Sequence, residues 1–161
     1  MTSVSTVVDS FLKKVEEDND FFEYYNCTDE EALAIAQERA AGYVDEAVSY
    51  FALQAKGCND INFFDKTSDT FNFDLTATEV EILARIMHWI YLERGISKLK
   101  PVINSFTSSE IKMLFSPANE RKTFLEMVNS KKKEVDILIS NYRAVDRLTG
   151  KLKTINYDDE V

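Results

Sequence analysis

Turn-forming residues are scarce in this chain, with only 4 Gly and 2 Pro among 161 residues. So few breakers suit a few long helices better than many short strands joined by tight turns. Cysteine is equally sparse. Cys27 and Cys58 stand apart, with no CxxC and no His at ligand spacing, which argues against a disulfide framework or a thiolate zinc site. The expectation is two buried or half-buried thiols in a reducing compartment. No run approaches the roughly 20 apolar residues of a membrane span. Residues 1–18 lack the basic start and apolar core of a secretion signal. No glycine-rich phosphate loop occurs.

What is present is acid, and it is unevenly spread. The net charge is −9. Residues 1–81 carry 5 Lys/Arg against 18 Asp/Glu, and residues 82–161 carry 14 against 10. A net acidic chain is poorly suited to gripping phosphate backbones, which requires a basic footprint. Opposite charge on the two halves fits contact with a protein, including a second copy of the chain. A solvated acidic face kept for solubility is the plainer alternative. Hydrophobic residues make up 45%, enough for one folded domain.

Apolar spacing predicts an all-α fold: an elongated bundle of four or five helices, with a small hairpin or ordered loop near 60–74 and an extended C-terminal arm. The first helix is expected over 4–17, where Val4, Val7, Val8, Phe11, Leu12 and Val15 share a face. Phe21, Phe22, Tyr24 and Tyr25 are too aromatic for a free loop and are expected to pack. Thr28 to Glu31 reads as a capping box opening a long helix to about Lys56, stopped by Gly57. Its buried stripe is Leu33, Ala36, Ala40, Val44, Ala47, Val48 and Phe51.

A second capping box, Thr76 to Glu79, opens the helix expected to be central. It is apolar on most sides, with a narrow polar stripe of Glu81, Arg85 and His88. A third box, Thr107 to Glu110, predicts a short helix to Phe115. Ser116 and Pro117 read as N-cap and first position of a last long helix. That helix carries a coiled-coil-like seam of Phe124, Val128, Lys131, Val135, Leu138, Tyr142 and Val145. The expected core includes Leu83, Met87, Trp89, Phe124 and Leu138. The domain is expected over 1–147, with 148–161 as a short hairpin or an arm.

Candidate chemistry is thin. His88 shares its stripe with Glu81 and Arg85, and a solvated or interface imidazole is the expected role rather than a catalytic base. Glu79, Glu81 and His88 lack the paired Glu-x-x-His pattern of di-metal bundles. No catalysis, cofactor or metal is expected. Lys131, Lys132 and Lys133 spread around a helix as a solvated face or a partner contact. Phe63, Phe64, Phe71, Phe73, Ile155 and Tyr157 lie in segments with turn signals. They either cap the core or form arms that contact neighbouring subunits.

Asp74 and Leu75, then Glu79, Glu81, Ile82 and Leu83, then Met87 and Trp89, then Phe115, Ser116, Pro117, Ala118 and Asn119 followed by Lys122, form an ordered string. This string resembles the head-to-tail connector, or neck adaptor, proteins of tailed bacteriophages, over roughly residues 60–145. The resemblance implies a structural virion protein in the neck, made in the host bacterial cytoplasm. It implies a ring of copies, usually twelve-fold, beneath the portal protein and joined to the next neck or tail protein. DNA would pass through the channel without specific binding, and no membrane would be involved. The competing class is a cytoplasmic helical binding module, a regulator or inhibitor acting as monomer or dimer.

Overall fold

The computed structural model describes residues 1–55, 66–67, 69–96 and 117–153. Among them the chain is all-α, with helices α1 (Val4–Leu12), α2 (Asn19–Phe22), α3 (Asp29–Gln54), α4 (Ala77–Ile96) and α5 (Pro117–Ala144). The expected helix at 107–115, the stop at Gly57, and Phe63, Phe64, Ile155 and Tyr157 lie outside the described residues. At 1.5 Å per residue, the 26 residues of α3 and 28 of α5 run about 39 and 42 Å.

Local chemistry sets the helix starts. Ser3 caps α1, its hydroxyl accepting from the Ser5 amide at 3.2 Å. Thr28 and Glu31 form the full capping box of α3: the Thr28 amide donates to the Glu31 carboxylate at 2.8 Å, and the Glu31 amide donates to the Thr28 hydroxyl at 3.3 Å. Thr76 and Glu79 repeat this pattern at α4, at 2.7 and 3.3 Å.

Helix α1 is shorter than its periodicity suggests. It ends at Leu12, where the Lys14 and Val15 amides donate to the Phe11 and Leu12 carbonyls in tighter turns. Those turns bring Val15 inward, and α2 then buries Phe21. The Phe21 ring meets Phe11 at 5.4 Å and Tyr91 at 5.2 Å, both edge-on. Phe22 and Tyr24 are half-buried, but Tyr25 is 97% exposed, contrary to expectation. Asn26 turns the chain there with φ of 60°, a conformation that asparagine tolerates.

The central helix is α4, which packs against α1, α3 and α5. Ile82, Leu83, Ala84, Ile86, Met87, Trp89, Ile90 and Tyr91 are all buried on it. Helix α3 contributes Ala36, Ala40, Tyr43, Val44, Ala47, Val48 and Phe51. Leu33 is 48% exposed and does not belong to that stripe, because burial along α3 begins only at Ala36. Helix α5 buries Val128, Val135, Ile139 and Tyr142, while Phe124 and Leu138 pack half-buried at the core's edge. A Cβ on Gly95 of α4 would lie 3.3 Å from the Phe124 ring, so this glycine allows the close approach of α5.

Two non-helical segments are tied to the bundle. Residues 69–75 pair with the chain start: the Phe71 amide donates to the Thr2 carbonyl at 2.9 Å, and the Val4 amide to the Asp69 carbonyl at 2.9 Å. After α5, residues 145–153 turn back. The Asp146 amide donates to the Lys151 carbonyl at 2.7 Å, and the Lys153 amide to the Ala144 carbonyl at 2.9 Å. Gly150 supplies the positive φ of 65°. The boundary expected after residue 147 falls inside this turn.

Candidate functional site

A buried polar knot joins three parts of the chain. Glu79, in the first turn of α4, is 0% exposed. Its Oε1 accepts from the Tyr142 hydroxyl and from Arg147 Nε, each at 2.6 Å. Its Oε2 accepts from the Thr76 amide at 2.7 Å and from Arg147 Nη2 at 3.1 Å. Arg147 Nη2 also donates to the Asp74 carbonyl, and the guanidinium lies 5.6 Å from the Phe73 ring centre. The hydrogen bond to Glu79 is the main cause holding the Arg147 pKa above its ordinary value. A buried carboxylate needs such saturation, because an unpaired one costs several kcal/mol. Spacing alone showed Glu79 only as a capping residue, and gave no sign of Arg147.

The polar stripe of α4 lines a cleft of about 260 Å³, walled by Lys14 after α1 and by Lys131, Glu134 and Val135 of α5. Lys14 Nζ donates to both Glu81 carboxylate oxygens at 2.8 Å, and Arg85 Nε to Glu81 Oε1 at 2.6 Å. Arg85 Nη1 stands 3.6 Å from Glu134 Oε2, and Lys131 Nζ lies 3.1 Å from the same oxygen. Burial, reinforced by the positive charges of Lys131 and Lys14, holds the His88 pKa below its ordinary value. Burial would raise the Glu81 carboxyl, but hydrogen bonds from Lys14 and Arg85 outweigh it and hold its pKa low.

The three adjacent lysines do different things. Lys131 faces the cleft, Lys132 Nζ sits 5.4 Å from the Trp89 ring centre, and Lys133 is exposed. Beside Lys132, the Tyr50 hydroxyl donates to Asp136 at 2.7 Å and links α3 to α5. Burial first, then that carboxylate, push the Tyr50 phenol up to about 12.

Of the two roles left open for the aromatic candidates, Phe71 takes the core one rather than that of an arm: it is 0% exposed, drawn in by the pairing of residues 2–4 with 69–73. Phe73 is half-buried against the core. Cys27 is exposed rather than buried. Among the described residues, no group of three or more His, Cys, Asp or Glu could hold a metal ion. No described helix is long and apolar enough to cross a membrane.

The uneven charge of the sequence falls on separate long helices. Helix α3 carries Asp29, Glu30, Glu31, Glu38, Asp45 and Glu46 against a single Arg39. Helix α5 carries more lysine and arginine than acid. Compared with protein-family models, curated proteins and solved structures, the chain matches none.

Proposed function

We propose that this chain is a structural virion protein, a head-tail connector that forms a ring beneath a portal protein and leaves a channel for DNA. The observation that carries the reading is the acidic α3 and the basic-surplus α5, the two longest helices among the described residues, in one protomer. Closed rings use heterologous contacts, in which one face of a subunit meets a different face of the next. Opposite signs on those faces favour the correct encounter and disfavour like faces. The ordered string from Asp74 to Lys122 supports the same reading. The ring would be twelve-fold, with the portal and the next neck or tail protein as its axial neighbours.

Charge reversal tests it. Glu30→Lys with Glu38→Lys on α3, and Lys122→Glu with Lys133→Glu on α5, are each expected to abolish rings seen by negative-stain imaging. Mixing the two variants should restore rings of alternating subunits, since each reversed face again meets its opposite. A monomer or dimer whose size ignores both reversals would instead favour a cytoplasmic regulator or inhibitor.

A further inference from the structure

The cleft between the end of α1, the polar stripe of α4 and α5 has more donors than its own residues use. Lys14, Arg85 and Lys131 bring three positive charges, and Glu81 and Glu134 bring two negative ones. A positive surplus therefore sits in a half-buried recess of a chain whose net charge is −9. Arg85 spends Nε on Glu81, while its Nη1 lies 3.6 Å from Glu134, beyond hydrogen-bond length. His88 lines the recess and makes no hydrogen bond among the described residues. Lys131 Nζ donates to both Glu134 oxygens, at 3.3 and 3.1 Å, and the remaining N–H groups of Lys131 and Arg85 are open to water or to a ligand in the cleft.

We propose that this cleft binds a small phosphate-class oxyanion, held by the Arg85 guanidinium, by Lys131 Nζ and by the His88 imidazole. A volume of about 260 Å³ lies below the usual range for drug-sized ligands and admits a phosphate with some of its water. A guanidinium edge and an ammonium group are the donors that oxyanions select. Glu134 opens onto the same space and only accepts hydrogen bonds when ionised. It therefore repels a fully deprotonated anion, but takes a hydrogen bond from one that carries a proton. Phosphate near neutral pH carries such a proton, and sulfate does not. The cleft should accordingly prefer phosphate to sulfate. This inference does not depend on the connector reading.

His88 is the single histidine, so its ring resonances report on the site without assignment ambiguity. The full chain is titrated with inorganic phosphate at constant ionic strength, using sodium chloride as balance and sodium sulfate in a parallel series. The expected result is a saturable shift of the His88 resonances with phosphate, at least about tenfold weaker with sulfate. At saturation the His88 titration midpoint should move upward, because a bound anion favours the imidazolium. Lys131→Gln and Arg85→Gln should each weaken phosphate binding at least about tenfold, as removal of a charge-assisted donor does. Lys131 is half-exposed, so its variant remains informative if Arg85→Gln unfolds. Shifts that are linear, equal for phosphate, sulfate and chloride, or unchanged in Lys131→Gln would overturn the proposal and leave general charge screening.

Discussion

Glu79 and Arg147 are 68 residues apart in sequence and meet through two hydrogen bonds, at 2.6 and 3.1 Å, with the carboxylate wholly out of solvent. The pair fastens the turn after α5 to the first turn of α4. Through the Asp74 carbonyl it also holds the segment leading into α4. Two structural roles thus depend on one ion pair.

Removing either partner strands the other, so Glu79→Ala or Arg147→Ala should each destabilise the fold by about 3–5 kcal/mol. Arg147→Lys should recover little, because an ammonium cannot reproduce the two-pronged contact. Urea denaturation of the three variants checks this. Losses below about 1 kcal/mol would mean the pair is solvated and structurally idle.

Trp89 is 7% exposed, between the Tyr50 ring at 5.0 Å and the Lys132 ammonium. Trp89→Ala should cost about 3–5 kcal/mol, the range for truncating a buried large aromatic. Lys132→Ala should cost far less, about 0.5–1 kcal/mol for an exposed cation over a ring. Thermal melts of the two variants separate core packing from the cation contact. Equal losses would contradict this account of α4.

The capping boxes were legible in the sequence because they are local: Thr28 and Glu31, and Thr76 and Glu79, lie three residues apart and need no tertiary information. The same locality hid the second role of Glu79, whose partner is supplied by the far end of the chain. The periodicity of α3 gave the correct face, but not how far a neighbour runs along it, and so Leu33 was misplaced. Phe71 sits among turn residues, and only pairing with residues 2–4 turns it inward. The polar stripe of Glu81, Arg85 and His88 was visible as helical spacing. Its opposite wall, Lys14 with Lys131 and Glu134, comes from two other elements whose arrangement spacing does not encode.

His88 gives the fold a pH dependence of defined sign. Its folded-state pKa is depressed by burial and by Lys131, Lys14 and Arg85, against the opposing pull of Glu134. Below the ordinary value of 6.5 the unfolded chain takes up the proton first. This contribution to stability is complete above 6.5 and is lost as pH falls through the folded-state value. Glu81 also has a depressed pKa, but from an ordinary value of 4.5, so its loss occurs at lower pH. Denaturation midpoints measured from about pH 7.5 downward should decline for the parent and stay flatter for His88→Gln above the carboxylate range. Parallel profiles would show that the imidazole is as well solvated folded as unfolded.

The turn after α5 sets where the chain can be shortened. Arg147 lies within a loop closed by the Asp146 amide on the Lys151 carbonyl and the Lys153 amide on the Ala144 carbonyl. The Asp146 carboxylate adds bonds from the Leu148 and Thr149 amides, the latter at 2.8 Å. Ending the chain after Lys153 keeps every one of these, and should leave the denaturation midpoint unchanged. Ending it after Thr149 removes the Lys151 and Lys153 bonds but keeps Arg147 and its contact with Glu79. With each net hydrogen bond contributing about 0.5–1.5 kcal/mol, that cut should cost about 1–3 kcal/mol. The two truncations also separate folding from assembly. If the tail beyond 153 contacts neighbouring subunits, the longer truncate should fold normally and fail to form rings. If it forms normal rings, the tail is not part of the joint. If it unfolds, residues beyond 153 belong to the core of their own chain.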